Sequence, residues 1–200
     1  MVKVNKYDFS FTASSLRRNE MVLVARSRAG SEDRDVEHEL GGGKSATGKR
    51  ILRECNKRLA KLTERQIDLL INGDLITQKQ IAFLAICKVH AFIRDFVVEV
   101  MREKLLVFDQ QLSEGEYISF FRRKAELHAE IENLALSTQK KIKQVTYKIL
   151  EQAELIDNVK NKGIQPQIMD DKVMKAIAQE DIEWLKIFLM SDLDIKNLTI

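Results

Sequence analysis

A single proline, Pro166, stands in 200 residues, and a chain so poor in the residue that breaks helices is free to run helix after helix. Cysteine is nearly as scarce. Cys55 and Cys87 lie far apart, each inside an apolar helical pattern with no second cysteine or histidine at ligand spacing. That excludes a disulfide framework and a thiolate metal site, and predicts reduced core thiols in a reducing compartment. The three histidines, His38, His90 and His128, are isolated from any nucleophile or metal partner. Long uninterrupted apolar runs are missing too. The best candidate span, Ile81 to Met101, contains Lys88, His90, Arg94, Asp95 and Glu99, whose insertion cost argues against a membrane crossing. The start, MVKVNKYDFSF, has no apolar leader, so no signal peptide is expected. These absences predict a soluble, cytoplasmic protein without metal, cofactor or small-molecule substrate.

What is present is a globular composition, 44% hydrophobic and 32% charged, enough for one sizeable core or two compact ones. The net charge of +3 is mild, but the charge is segregated. Lys44, Lys49, Arg50, Arg53, Lys57, Arg58, Lys61 and Arg65 face only Glu54 and Glu64 in their stretch, whereas Glu32 to Glu39 and Asp170 to Asp194 are acidic. Basic faces suit phosphate; acidic ones suit protein partners or self-masking.

Apolar periodicity and start signals predict helices along most of the chain. Ser14 or Ser15 is expected to cap a helix reaching about Ala29, and an acidic helix over Glu32 to Leu40 ends at Gly41 to Gly43. Ser45 or Thr47 starts a basic helix whose Ile51, Leu52, Cys55, Leu59 and Leu62 turn inward while Arg50, Arg53, Lys57 and Lys61 share an outward face. Thr63 to Gln66, Thr77 to Gln80 and Ser113 to Glu116 fit the capping-box pattern, with Asn72-Gly73-Asp74 as a turn. Ile81 to Leu105 reads as a long spine bending near Lys88 to Ala91, with Arg94 and Asp95 as a paired polar contact between helices. The segment Val107 to Leu112 is the expected boundary between an N-terminal bundle, 1–108, and a C-terminal domain, 109–200.

The most informative stretch is Ser137 to Pro166. Ser137 and Thr138 offer a hydroxyl cap, and Ile142, Val145, Ile149, Leu150 and Ala153 recur at helical spacing. Opposite that stripe, at about 100° per residue, fall Lys140, Gln144, Tyr147 and Lys148, flanked by Lys141 and Lys143. From Lys140 to Lys148 there is no acidic residue. A short helix within His128 to Leu134 and a turn at Ala135-Leu136-Ser137 complete a helix-turn-helix pattern. Leu155-Ile156 and Ile164 to Ile168 are placed to pair across the polar loop Asp157 to Gly163, where a winged-helix protein carries its wing. The plain alternative is a solvated lysine-rich surface helix.

One enzyme motif needs weighing. Gly43 to Lys49 has the glycine and lysine spacing of a phosphate loop, but Arg50 replaces the magnesium-binding hydroxyl and an acidic helical segment replaces the preceding strand. The residues read instead as a flexible basic loop entering a helix.

Several ordered motifs resemble one family. They are Phe9-Ser10-Phe11-Thr12, Arg58 to Leu62, Gln80 to Lys88, Phe92 to Lys104, Tyr117 to Lys124, Leu127-His128-Ala129-Glu130, and Ser137-Thr138 with Lys141 to Leu150. Together they resemble the BrxA family of the bacterial BREX phage-exclusion systems. The resemblance is weakest in Arg28 to Lys44 and Asn158 to Asp170, and Ala129 stands where family members often carry proline. It implies a helical, two-part accessory protein that binds DNA within a defence complex, partners other BREX components and has no catalytic residues.

The expected fold is therefore all-α, two packed helical bundles, the second resembling a winged helix-turn-helix with a small β-hairpin. The expected function is duplex DNA binding through Lys140, Lys141, Lys143, Gln144, Tyr147, Lys148, Arg50, Arg53, Lys57 and Lys61. Two alternatives remain open at this point. One is a structural adaptor bridging BREX proteins through an acidic C-terminal helix, Asp181 to Leu189; the other is an RNA-binding, antitermination-like helical protein.

Overall fold

The computed structural model describes residues 6–30 and 35–198; these form twelve α-helices linked by turns, 3-10 stretches and a π-helical turn, with no β-sheet among them. They gather into two compact units, and neither is continuous in sequence. One unit takes Leu16–Val89 with Met169–Trp184; the other takes the chain up to Ser15, His90–Ile168 and the chain from Leu185 on. Residues 90–106, which the sequence groups with the N-terminal half, thus belong with 109–168.

The first unit contains α1 (Arg18–Arg28), α2 (Val36–Gly41), α3 (Ser45–Leu59), α4 (Glu64–Asn72), α5 (Leu75–Val89) and α11 (Asp171–Ala178). Helix α1 starts later than a Ser14 or Ser15 cap would place it. Its cap residue is Arg17, whose left-handed backbone (φ 57°) turns the chain just before the helix, and Ser10–Ala13 forms a separate 3-10 turn. The first residues of the expected acidic helix, 32–34, lie outside the described residues. Helix α2 and α3 approach closely at Gly48, where a Cβ would sit 2.0 Å from the Glu37 carbonyl oxygen. Glycine there is a packing requirement.

Local signals hold where the caps are local. Thr63 and Gln66 form the capping box of α4. The Thr77 box is not used, because Asp74 Oδ1 accepts the Thr77 N–H at 2.8 Å and the helix begins at Leu75. Ile81 to Cys87 are all buried, so α5 is apolar on every side and forms the centre of this unit. Arg58, fully buried, is paired with Glu54 at 2.9 Å and donates to the Leu16 carbonyl at 2.8 Å, as a buried charge requires. Burial pushes the neighbouring Cys55 thiol up to about 12, which makes it inert at neutral pH.

The second unit opens at His90. The expected spine is interrupted there, because the His90 backbone is not helical (φ −114°, ψ 86°) and its ring is buried, its Nδ1 3.1 Å from the Asp8 carbonyl. After the break come α6 (Ala91–Phe96), a π-helical turn (Val97–Arg102), α7 (Glu103–Leu106), α8 (Glu114–Leu127), α9 (Ala129–Glu132), α10 (Leu136–Gln152) and α12 (Asp192–Lys196). The Ser113 to Glu116 capping box starts α8. Aromatic rings fill the core: Phe96 lies 5.2 Å from Phe120, 5.5 Å from Tyr117 and 6.1 Å from Tyr147, centroid to centroid. The expected acidic helix at Asp181 to Leu189 is a 3-10 stretch, Ile182–Phe188, with Leu185, Ile187 and Phe188 buried.

Candidate nucleic-acid interface

Helix α10 begins at least two residues earlier than its hydroxyls suggest. Ala135 is the cap residue and makes no side-chain bond; instead Gln139 Nε2 donates to the Leu134 carbonyl at 2.9 Å. The expected cap by Ser137 or Thr138 does not form. The helix that precedes it is short, α9, and the turn between them is Asn133 to Ala135.

Ile142, Val145, Ile149, Leu150 and Ala153 are buried as their spacing predicts. Lys140, Lys141, Gln144 and Lys148 are exposed on the other side. Lys141 Nζ reaches Gln144 Oε1 at 3.4 Å, Lys148 pairs with Glu151, and Lys143, half-buried, pairs with Glu114 on α8. Tyr147 is a correction. It is only 4% exposed, its ring packed on Tyr117 (5.7 Å) and Phe96, so it belongs to the core and cannot meet a base. A helical wheel places it at the edge of the basic arc; the aromatic side of α8 claims it.

Behind α10 the chain makes a tight antiparallel pairing. Ile156 bridges Ile164, Asp157 N–H donates to the Gly163 carbonyl at 2.9 Å, and Gln165 N–H donates to the Leu155 carbonyl at 2.9 Å. A third line joins it: Gln111 bridges Gly163, and Ile164 N–H donates to the Gln110 carbonyl at 2.7 Å. The pairing is one bridge long on each side, and Ile168, the end of the expected strand, is exposed.

The loop 157–163 is internally fastened. Asp157 Oδ1 accepts the N–H groups of Asn158 and Gly163, and Asn158 Oδ1 accepts those of Lys160 and Asn161, all within 2.9 Å. Glu151 ties it to α10, accepting the Val159 N–H at 3.1 Å through one oxygen and the Lys148 ammonium through the other. These two bonds, the lysine first, hold the Glu151 carboxyl below its usual range. Lys160 is exposed near the loop tip, and Lys162 lies with its Nζ 5.4 Å from the Tyr147 ring centre. Sequence reading singled out the loop but neither its lysines nor Glu151. The signal was there, in two lysines of a seven-residue polar loop.

The second basic group lies on α3, in the other unit. Arg50, Arg53 and Lys57 are exposed at three- and four-residue steps, and Lys61, exposed, follows the helix end. Arg58, counted among the basic residues of this stretch, is buried. The phosphate-loop spacing spans the α2–α3 turn: Gly43 is left-handed (φ 82°), while Gly48 is already inside α3 and filled by the approach of Glu37. The N–H groups of Gly42, Gly43, Lys44 and Gly48 donate to the carbonyls of Glu39, His38, Gly41 and Lys44, so they are not open to a phosphate.

Arg94 and Asp95 pair with one another at 2.8 Å. Asp95 also accepts from the Tyr7 hydroxyl at 2.6 Å and from Lys124 at 3.2 Å, linking α6 to α8 and to the N-terminal segment. It is a structural contact between elements.

No helix among the described residues is long and apolar enough to cross a membrane. A search of curated proteins gives no match. Among solved structures the fold is similar to the crystal structure of an uncharacterized protein from Magnetospirillum magneticum, with a TM-score of 0.78 and 17% identity over 93% of this chain and 99% of that one. At that identity the likeness speaks for the all-α fold alone. Residues 5–181 match the BrxA family model, which covers most of the sequence, so the chain belongs to the BrxA family and with it to the BREX phage-defence systems.

Proposed function

We propose that the protein is a non-enzymatic accessory subunit of its BREX system that binds duplex DNA, with α10 laid against the duplex and the loop 157–163 beside it. The observation that carries this reading is the exposed face of α10, Lys140, Lys141, Gln144 and Lys148, followed immediately by a fastened loop with Lys160 near its tip. The order of elements is that of a winged helix with one helix added: a short pairing segment at Gln111, then α8, α9 and α10, then the paired loop. Lysines neutralise phosphates and position a protein, whereas base edges give specificity. Weak sequence preference is the consequence. Arg50, Arg53, Lys57 and Lys61 supply a second phosphate-binding face on α3.

The adaptor reading through Asp181 to Leu189 is less favoured, because that stretch buries Leu185, Ile187 and Phe188 and the carboxylates on either side of it are used at home. Glu180 pairs with Lys88, and Asp192 pairs with Arg102 at 2.9 Å and with Lys186 at 3.2 Å. The BrxA family is not a known enzyme family.

Titration of duplex and single-stranded DNA and RNA across a salt series tests the proposal. Duplex affinity should fall log-linearly with salt, at a slope of about −0.9 per phosphate neutralised. Lys140→Ala with Lys148→Ala should weaken all duplexes alike and flatten that slope, while Arg53→Ala with Lys57→Ala removes equal charge from α3. If only the α3 pair abolishes binding, α10 is not the reading helix. Preference for single-stranded RNA, or no binding at low salt, overturns the duplex proposal.

A further inference from the structure

Helix α8 carries three cations in a row, Arg122, Arg123 and Lys124, and two of them are neutralised within the protein. Arg123 pairs with Glu99 of the π-helical turn at 3.0 Å, and Lys124, buried, pairs with the same Glu99 and with Asp95 at 3.2 Å. A step of about 100° per residue turns Arg122 to the other flank of α8. There it is exposed and, among the described residues, makes no hydrogen bond or ion pair; Glu126, one turn further along the helix, is not bonded to it.

The flank that Arg122 occupies faces α10. Arg122 and Lys140 line the same depression between α8 and the start of α10, and Lys140 too is exposed with no carboxylate partner among the described residues. The carboxylate that lines this depression, that of Glu114, is already matched by Lys143. Two unmatched positive charges from two helices are thus held side by side, an arrangement that repels itself in the free chain and is relieved by an anion. Lys140 also heads the exposed strip of Lys141, Gln144 and Lys148, so the Arg122 site is continuous with the basic face of α10. A guanidinium suits phosphate better than an ammonium does, because its planar fork can donate to two oxygens at once.

We propose that Arg122 is a further phosphate contact of the duplex, so that the DNA-binding face runs from α10 onto α8 and Arg122 and Lys140 together hold the backbone at the N-terminal end of α10. This rests on the duplex reading given above. Lys160 of the loop 157–163 belongs to the other end of the helix, where Glu151 accepts the Val159 N–H. At about 1.5 Å per residue, Lys140 and Glu151 stand roughly 16 Å apart along α10, more than the roughly 12 Å width of a major groove. The two anchors are therefore spaced to meet the backbones on either side of the groove.

Duplex titration of the full chain across a salt series tests it. Arg122→Ala should bind about tenfold more weakly at low salt, the worth of one charge-assisted hydrogen bond, and its log-affinity should fall with salt less steeply by about 0.9. Arg123→Ala removes the same formal charge from the next residue, but that charge is already matched by Glu99, so affinity and slope should stay near wild type. Arg122→Lys should keep the wild-type slope and lose only the part of the affinity that comes from the planar fork. Arg122 is exposed and alanine favours a helix, so Arg122→Ala should melt no lower than wild type, which separates a lost contact from a lost fold. A slope unchanged by Arg122→Ala in a chain that binds duplex overturns this inference alone. An equal loss on Arg123→Ala overturns it as well, since net charge and not place would then decide. No duplex binding by the wild type at low salt overturns the DNA reading and this inference with it.

Discussion

Tyr147 carries a hydroxyl that is buried and makes no hydrogen bond to the described chain, and the same holds for Tyr117 beside it. A phenol in that position keeps its place by its ring. Tyr147→Phe should therefore leave folding stability unchanged or raise it by up to about 1 kcal/mol, since an unpaired buried polar group is removed, while Tyr147→Ala should cost about 3–5 kcal/mol. Denaturant unfolding measures both, and DNA affinity should be unaltered by the first. A loss of affinity on Tyr147→Phe would place the hydroxyl at a ligand. Why the sequence misleads here is physical: helical spacing gives a residue's direction on its own helix but not what stands opposite. Asp95 is the complementary case, since Arg94-Asp95 was readable as a structural pair but its partners Tyr7 and Lys124, 88 and 29 residues away, were not. Burial pushes the Asp95 carboxyl up, but the Tyr7 hydroxyl bond, then Arg94 and Lys124, hold it below the usual carboxylate range. A carboxyl depressed by folding adds stability that is fully present above its unfolded value of about 3.9 and is lost as pH falls through the folded value. Asp95→Asn should flatten that part of the acid limb in unfolding followed against pH, and an unchanged limb would count against it.

At the scale of elements, the pieces legible in sequence are those whose cause is local. The capping boxes at Thr63 and Ser113 act across three residues, and both form. The third line of the pairing behind α10 was read as a domain boundary, because Gln111 meets Gly163 only after the chain has passed through α8, α9 and α10. The hydrogen bond that ties α10 to its loop is made by one side chain, Glu151, and that yields a test by sign. Glu151 is an anion close to the proposed DNA face, so removing its charge should strengthen duplex binding if charge alone matters. Removing its hydrogen bond to Val159 should loosen the loop. Glu151→Gln keeps an acceptor and should bind more tightly; Glu151→Ala frees the loop and should bind less tightly than Glu151→Gln, with faster hydrogen exchange at the Val159 amide. Equal affinities for the two variants, with unchanged exchange, would remove the tie from the account.

The chain passes through one unit twice and through the other three times, and this has a consequence for where it can be cut. The expected boundary at 108 lies in a stretch of exposed residues, Val107 to Gln111, which in composition resembles a linker. Yet Phe92 and Phe96, on one side of it, are the ring partners of Phe120, Tyr117 and Tyr147 on the other. A break at 108 exposes these faces together, and a cluster of aromatics carries more burial energy than any cap or surface pair in the unit. The His90 break is different, since the change of unit falls between Val89 and His90. Residues 90–200, with the 6–15 segment that packs on Phe92 and His90 joined to them, should therefore melt cooperatively, and residues 109–200 with the same segment should not, although the two differ by only the α6–α7 segment and its turn. Adding residues 1–108 in trans to 109–200 should recover the transition, followed by near-ultraviolet circular dichroism of the buried aromatics. If 109–200 with that segment melts as sharply as 90–200 with it, the aromatic cluster is dispensable and the sequential boundary is the true one; if it does not, the unit is defined by the rings that cross the cut.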